Sequence, residues 1–247
     1  MSLDAERAAA EIEANLRAVG TPERAEGEKR YLNSELTHLG AIMPQIRREV
    51  RSFARAHDDL DHDELIALVE ALWSARVHET RMAATMLLEA YPMLLGPRDL
   101  TLIERLIRES RTWALVDGLA ASVTGPILVR RPRSASRLDR WARDDDLWVR
   151  RSALLAMIEP LKGGADFGRF ADYADAMLDE KEFFIRKAIG WVLREAARTR
   201  PNEVYEWLAP RTDRASGVTV REAVKYLEPK RREELLAAYR EERPAGP

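Results

Sequence analysis

Residues 180–197, EKEFFIRKAIGWVLREAA, contain an Arg-x-Ala tripeptide that begins at Arg186 and recurs along the chain. In the same register, further copies begin at Arg81, Arg151 and Arg221. Successive copies in this register are therefore 70, 35 and 35 residues apart, and Val116 occupies the position where an additional copy would begin. A period of about 35 residues, with two helices in each unit, is typical of α-solenoids of the HEAT or TPR kind. The repeat therefore predicts an all-α fold of stacked helix pairs.

The composition of the chain and the positions of its prolines and glycines agree with a helical fold. The 247 residues are 46% hydrophobic and 33% charged, and the 12 prolines and 12 glycines fall mostly between periodic segments. Helices are expected at about residues 4–19, 22–32, 44–56, 61–76, 77–91, 98–109, 111–124, 133–144, 146–159, 169–179, 182–199, 202–209, 218–227 and 231–242. We expect one curved HEAT-like repeat domain over residues 1–247, with an N-terminal helix in 1–24, repeats in 25–227 and a C-terminal cap in 228–247.

Several classes of protein are excluded or disfavoured. The chain has no cysteine, which excludes disulfides, thiolate catalysis and cysteine-ligated metal sites. No run of about 18 apolar residues occurs, and the N-terminal segment MSLDAERAAAEIEANL is an acidic amphipathic helix rather than a signal peptide. We therefore expect a cytoplasmic protein that does not bind membranes.

Charge is distributed unevenly along the chain, although its net value is only −2. Residues 121–151 contain eight arginines and four aspartates, whereas residues 57–70 contain six acidic residues and no Lys or Arg. A locally basic surface can bind an anion on a protein that is nearly neutral overall. We expect phosphate contacts from the arginine-rich segment 130–143, because it leads directly into Arg150 and Arg151. Ordinary solvated helix faces, or a face that docks another protein, are the alternatives.

Trp113 and Asp117 lie four residues apart in residues 112–121, TWALVDGLAA. Side chains at i and i+4 share one face of a helix, so the indole and the carboxylate are predicted to lie together. Four apolar residues point elsewhere and form the expected buried stripe: Leu115, Val116, Leu119 and Ala120. The pair is beside the core without being needed to fill it, although a solvated surface pair follows the same pattern.

The repeat register places other aromatic and charged residues at equivalent positions. One position holds His78, Trp113, Trp148 and Phe183, and the position one turn later holds Met82, Asp117, Ser152 and Lys187. Trp191 follows one turn after Lys187. Stacked helices lie about 8–10 Å apart, so three of them would align these residues across roughly 16–20 Å of one groove. Packing between repeats is the alternative; we favour it for Trp148, and exposure for Trp113 and Trp191.

Such a groove suits a planar cationic ligand attached to an anionic backbone. Indole faces attract cations by about 0.5–2 kcal/mol and also stack on bases, and arginines bind phosphate. A carboxylate can stabilise an oxocarbenium-like sugar and orient an attacking water. An alkylated purine already carries positive charge, so one aspartate suffices for its removal where a neutral base would require a second acid.

Several strings resemble the AlkD-type DNA alkylation repair family of HEAT-like-repeat DNA glycosylases. They are YLNSELTHLGAIMPQIRR, ALWSARVHETRMAA, TWALVDGLA with Gly125-Pro126, WARDDDLWVRRSALL and EKEFFIRKAIGWVLREAA. The resemblance spans about residues 25–227. It implies hydrolytic release of N3- and N7-alkylated purines, such as 3-methyladenine and 7-methylguanine, from duplex DNA. It also implies that no cofactor or metal takes part.

The resemblance assigns roles to individual residues. It implies Asp117 as the catalytic carboxylate, Trp113 and Trp191 as walls beside the lesion, and Arg151 as an arginine that contacts the DNA backbone. DNA contacts are expected from Tyr31, Arg47, Arg150, Trp148, Phe183, Phe184 and Lys187. We expect a monomer that works on the nucleoid. The competing hypothesis is a HEAT-repeat scaffold that binds nucleic acid or protein without chemistry.

Residues 57–64, HDDLDHDE, are the one string that suggests a metal site, and we do not predict one there. The string lacks the glycine and the spacing of an EF-hand loop. Asp61 followed by Glu64 three residues later instead predicts a capping box at a helix N-terminus.

Overall fold

Helices make up nearly every element in residues 3–241, the part of the chain that this computed structural model describes. The α-helices are α1 Ala5–Val19, α2 Pro22–Leu32, α3 Met43–Ala56, α4 His62–Ser74, α5 His78–Ala90, α6 Leu100–Ser110, α7 Trp113–Asp117, α8 Gly125–Arg130, α9 Ser136–Trp141, α10 Leu147–Leu155, α11 Ile158–Lys162, α12 Phe167–Met177, α13 Phe183–Ala196, α14 Pro201–Leu208, α15 Gly217–Ala223 and α16 Pro229–Glu241. Short 3-10 helices cover Pro92–Leu94, Pro97–Asp99, Pro132–Ala135, Ala209–Arg211 and Val224–Tyr226. Residues 3–241 form no β-strand beyond one isolated bridge between Thr37 and Val77.

The predicted repeat is present in each of the two compact units of the chain, which meet in sequence between Val123 and Thr124. In the first unit α5 packs against α7, and in the second unit α10 packs against α13 and α13 against α15. These are the helices that carry successive copies of the 35-residue register. The prediction of an all-α fold of HEAT-like helical repeats is therefore confirmed.

Burial explains why the tripeptide recurs. Its alanines are fully buried, at Ala83, Ala153, Ala188 and Ala223. A small side chain at this position allows neighbouring helices to approach closely. The α13–α15 contact is closer still two residues beyond Ala188, because a Cβ on Gly190 would lie 2.9 Å from the carbonyl oxygen of Thr219.

The arginines of the tripeptide act as internal cross-links. Arg81 is 7% exposed, and it donates through Nε to the Trp73 carbonyl oxygen at 3.1 Å and through Nη1 to the Glu109 carbonyl oxygen at 3.1 Å. Arg186 donates through Nε to the Glu180 carbonyl oxygen at 2.6 Å. Carbonyl groups at helix ends have no partner within their own helix. The repeated arginines thus satisfy such groups and tie neighbouring elements together.

Most helix boundaries lie within a few residues of those predicted. The capping box at α4 is confirmed: the Asp61 carboxylate accepts from Glu64 N at 2.9 Å, and the Glu64 carboxylate accepts from Asp61 N at 3.2 Å. The continuous helix expected at 146–159 is wrong, because the structure has the separate helices α10 and α11 there.

The terminal segments also contain helices. The expected N-terminal segment contains α1, although Met1 and Ser2 lie outside the described residues. The expected C-terminal cap contains α16, and residues 242–247 lie outside the described residues. The organisation into a single domain stays a prediction. None of the helices within residues 3–241 has both the length and the apolar content to cross a membrane.

Candidate functional site

Helix α7 holds Trp113 and Asp117 on one face, because they are its first and last residues and lie one turn apart. Both side chains are half-buried. The four residues expected to form the buried stripe, Leu115, Val116, Leu119 and Ala120, are each 0% exposed. The core prediction for this segment is confirmed, and the indole and the carboxylate lie beside that core with part of their surface open.

The chain changes helix type directly after Asp117. Residues Gly118–Thr124 form a π-helix, where a continuous α-helix over 111–124 was expected. A π-helical turn is wider than an α-helical turn and shifts the faces of the residues that follow it; such turns are frequent at functional sites. Gly118 occupies the small-residue position of the tripeptide register. A Cβ there would lie 2.9 Å from Cγ2 of Thr85 in α5, so the approach of α7 to α5 depends on this glycine.

Tyr31, at the end of α2, is brought against the α7 pair. Its ring meets that of Trp113 edge-on, with centroids 6.2 Å apart and planes at 89°. Tyr31 is 75% exposed, which is unusual for a large aromatic side chain. Tyr31 of α2 and Trp113 of α7, two of the predicted site residues, therefore form an open aromatic corner next to the helix face that carries Asp117.

A cleft of about 650 Å³ lies among residues that neighbour Tyr31 and Trp113 in sequence, and it was missed in the sequence analysis. Arg76, Arg108 and Arg111 line it, together with Asn33 and Thr112. Asn33, Arg76 and Arg111 have φ values of 46°, 53° and 48°. Residues other than glycine seldom adopt this left-handed conformation, and strained residues cluster at functional sites. No sequence pattern signals these angles, because two of the three residues are arginines.

Arg47 lies on a basic face of α3. Arg47, Arg48, Arg51 and Arg55 are all exposed and line one shallow trough of about 620 Å³ with Met43 and Pro44. Among residues 3–241, no ion pair joins any of these four arginines to an acidic side chain. Four uncompensated guanidinium groups on one helix make a surface suited to phosphate groups.

Helix α13 of the second unit presents an aromatic and basic surface at its N-terminal end. Phe183 is 54% exposed, and Nζ of the exposed Lys187 lies 5.8 Å from the centroid of its ring. Phe184 packs on Phe183 with centroids 5.5 Å apart and on Trp148 with centroids 5.0 Å apart. Trp148 therefore takes part in packing between repeats, as we favoured, while remaining half-buried.

Arg150 and Arg151 are both engaged inside the second unit. Arg150 donates to the Glu180 carboxylate at 3.1 and 3.0 Å and to the carbonyl oxygens of Asp144 and Asp145 at 2.7 and 2.9 Å. Arg151 is 2% exposed, donates to the Phe184 carbonyl oxygen, and lies 5.8 Å from the centroid of the Phe184 ring. A phosphate contact by either residue would require it to move away from these partners.

Trp191 lies two turns along α13 from Phe184 and is half-buried. The guanidinium carbon of Arg194 lies 6.0 Å from its ring centroid, and Arg194 is paired with Glu195 and Glu222. Exposure was favoured for Trp113 and Trp191, and the structure shows each of them half-buried within its own unit. The alignment of Trp113 and Asp117 with the aromatic residues of the second unit stays a prediction.

Comparison with known proteins gives a family and a set of structural neighbours. The sequence profile of the DNA alkylation repair enzyme family matches residues 12–227. No curated protein matches the chain. A predicted DNA alkylation repair enzyme from Enterococcus faecalis superimposes with a TM-score of 0.76 at 21% identity, covering 85% of this chain and 97% of its own.

Two proteins of Streptococcus mutans have the same fold at lower similarity. AlkD2 gives a TM-score of 0.63 at 12% identity, covering 91% of this chain and 100% of its own. The protein smu.31 gives a TM-score of 0.56 at 14% identity, covering 75% and 93%. These identities support a common fold.

Proposed function

Because the chain belongs to the DNA alkylation repair enzyme family, we propose that it is a DNA glycosylase that removes N3- and N7-alkylated purines from duplex DNA as a monomer. The observation that carries this proposal is the half-buried carboxylate of Asp117, one turn from the half-buried indole of Trp113. A carboxylate and an indole on one open face are the groups that a cationic base attached to a sugar requires.

The chemistry follows from the charge of the substrate. Alkylation at N3 or N7 makes the purine a cation, so it leaves as a neutral base when it takes the electron pair of the C1′–N bond. Asp117 stabilises the positive charge that develops on the sugar and orients the water whose oxygen bonds to C1′. The water loses its proton to solvent, and the products are the neutral free base and an abasic site. The Trp113 ring attracts the cationic base through its π face.

DNA binding is proposed for surfaces on both units. In the first unit the arginines of α3, including Arg47, contact phosphate groups, and Tyr31 extends the aromatic surface beside Trp113. In the second unit Lys187 contacts phosphate, while Phe183 and Trp191 offer aromatic surface to the substrate. Phe184 and Trp148 support Phe183 by packing.

We propose that Arg150 and Arg151 contribute to DNA binding mainly from their places inside the second unit, Arg151 through its charge and Arg150 through the neighbouring residues that it holds. Arg151 is almost fully buried, and a buried charge acts at longer range than an exposed one because it is screened less by solvent. Arg150 holds the Glu180 carboxylate and the residues that precede α10. Either side chain reaches DNA only after exchanging its intramolecular partners for a phosphate group.

The test is release of alkylated bases by the wild-type protein. Duplex DNA methylated at purines is incubated with the protein, and the abasic sites formed are cleaved with alkali and counted. We expect 7-methylguanine and 3-methyladenine to be released well above the rate in buffer. A scaffold without chemistry, the competing function, would bind the duplex through the α3 arginines and release no base.

A further inference from the structure

Three side chains that can bind metal converge in the first unit, from sequence positions far apart. Glu28 comes from α2, His38 from the loop after α2, and His78 from the first position of α5. One ligand atom from each lies within 4.8 Å of the others. The two imidazole rings are stacked, with centroids 4.5 Å apart and planes at 9°. Among residues 3–241 no other group of three His, Asp or Glu side chains is arranged in this way.

The cluster is buried and its polar atoms lack hydrogen-bond partners. His78 is 3% exposed, the His38 side chain 1% and the Glu28 side chain 19%. Glu28 Oε2, both ring nitrogens of His38 and Nδ1 of His78 form no hydrogen bond. Buried polar groups are nearly always paired, so four unsatisfied atoms at one place call for a ligand.

The backbone around the cluster holds the two histidines in place. His78 N donates to the Thr37 carbonyl oxygen at 2.8 Å, which fixes the residue before His38 against the start of α5. The residues after His38 are held by Glu79, which is 0% exposed and accepts from Leu39 N at 3.0 and 2.9 Å and from Gly40 N at 2.6 Å. Both imidazoles are therefore presented by a supported backbone, as a ligand site requires.

We propose that Glu28, His38 and His78 bind one divalent transition-metal ion, with zinc the preferred ion. Two imidazoles and one carboxylate are a common zinc ligand set, with bond lengths of about 2.0–2.2 Å. Ligand atoms around a tetrahedral ion lie about 3.4 Å apart at these lengths. Binding therefore requires side-chain rotation. The 3.9 Å between His38 Nδ1 and Glu28 Oε2 has to shorten by about half an ångström, and the stacked imidazoles have to turn out of their parallel planes, because the lone pair of each ligand nitrogen lies in its ring plane.

The electrostatics agree with this site. Glu28 supplies a carboxylate beside the two imidazoles, so a divalent cation would gain one anionic ligand there. The partial exposure of Glu28 gives an ion a path from solvent, and three protein ligands leave a fourth position for water. Glu28 and Tyr31 share α2, so the ion would also tie the helix that carries Tyr31 to α5.

The experiment is a titration of the protein without a histidine tag, after treatment with chelator and dialysis, with Co²⁺ as a visible probe. We expect one equivalent to bind with the visible absorption of tetrahedral cobalt, and one equivalent of Zn²⁺ to displace it. At an ion concentration about one hundred times the Kd, the melting temperature should rise by about 5 °C. DNA is absent throughout, so the outcome is independent of the proposed glycosylase activity.

Substitutions in the protein test whether Co²⁺ binds at the cluster of Glu28, His38 and His78. His38→Gln should lose the cobalt absorption and the rise in melting temperature, whereas His57→Gln, a histidine that packs on Phe53 away from the cluster, should keep both. Should His38→Gln not fold, Glu28→Gln changes the most exposed ligand and should weaken Co²⁺ binding at least about tenfold. The absence of stoichiometric binding by the wild type, or equal binding by Glu28→Gln, would overturn the proposal.

Discussion

Removing two arginines from the basic face of α3 should reduce the dependence of DNA binding on salt. Arg47 and Arg51 lie one turn apart, are exposed and line the same trough. Each phosphate that a protein neutralises contributes about 0.9 to the slope of log K against log salt concentration. The double variant Arg47→Ala/Arg51→Ala should therefore have a slope smaller by about 1.8 than the wild type.

The slope gives the loss of DNA affinity that is expected over a measurable range of salt concentration. Between 50 and 200 mM salt each contact accounts for about a 3.5-fold loss of affinity, so two contacts account for about 12-fold. The wild-type protein should lose about 12 times more affinity over this range than the double variant. Fluorescence anisotropy with an undamaged labelled duplex, at four or more salt concentrations, measures both slopes.

A matched control separates phosphate contacts from the change in net charge. Arg105→Ala/Arg214→Ala removes the same two charges from arginines that already pair with Glu70 and with Asp179. Its slope should stay close to that of the wild type. An unchanged slope in the α3 variant, or an equal reduction in the control, would refute the assignment of the basic face to DNA binding.

Three further predictions concern the aromatic corner, the helix packing and a surface histidine. Trp113→Ala should lower kcat/KM for 7-methylguanine by about 2- to 30-fold, the value of one cation–π contact, with Trp113→Phe in between; equal values for all three proteins would contradict the role of the ring. Gly190→Ala should lower the free energy of unfolding by about 1–3 kcal/mol because it overpacks the α13–α15 contact, whereas urea melts of Gly27→Ala, where a Cβ meets nothing within 4 Å, should show no loss. Hydrogen bonds to Asp63 and then Asp99 raise the pKa of His62, so its contribution, about 1 kcal/mol, is present below about pH 6.5 and disappears as pH rises through the folded-state pKa. His62→Gln should therefore destabilise the protein at pH 5.5 more than at pH 8.5 in urea unfolding, and an equal loss at both values would count against it.

Periodicity was sufficient to predict the helical repeat. The Arg-x-Ala register combines a cross-linking arginine with a small buried residue, and the two lie only two positions apart, so a local pattern reveals them. The structure places Ala83, Ala153 and Ala188 at 0% exposure accordingly. The capping box at Asp61 was equally predictable, because its two hydrogen bonds join residues three apart.

The features that were missed depend on contacts or backbone angles that local patterns do not encode. The π-helix after Asp117 begins at Gly118, which lies close to Thr85, a residue 33 positions away in the sequence. The left-handed conformation of Arg76 and Arg111 occurs in a residue type that rarely signals it. Glu28, His38 and His78 come together only through tertiary packing, so the one metal site considered from sequence was the compact acidic string at residues 57–64.

The site itself was predictable to the extent that it is local. Trp113 and Asp117 share a helix face because of their spacing, whereas the edge-on contact of Trp113 with Tyr31 joins residues 82 positions apart. The arginines of the site likewise include one whose exposure was predictable from the local pattern and one whose burial was not. Exposure of Arg47 follows from the amphipathic pattern of α3, but the burial of Arg151 reflects its partner Phe184 across the repeat.

We propose that a single carboxylate, that of Asp117, drives release of a cationic purine. The most direct measurement is the single-turnover rate of 7-methylguanine excision from a defined duplex by the wild type, by Asp117→Asn and by the surface control Asp58→Asn. We predict a rate about 10²- to 10³-fold lower for Asp117→Asn, as for other losses of one preorganised electrostatic group, and an unchanged rate for Asp58→Asn. Excision at the wild-type rate by a folded, DNA-binding Asp117→Asn protein would contradict it.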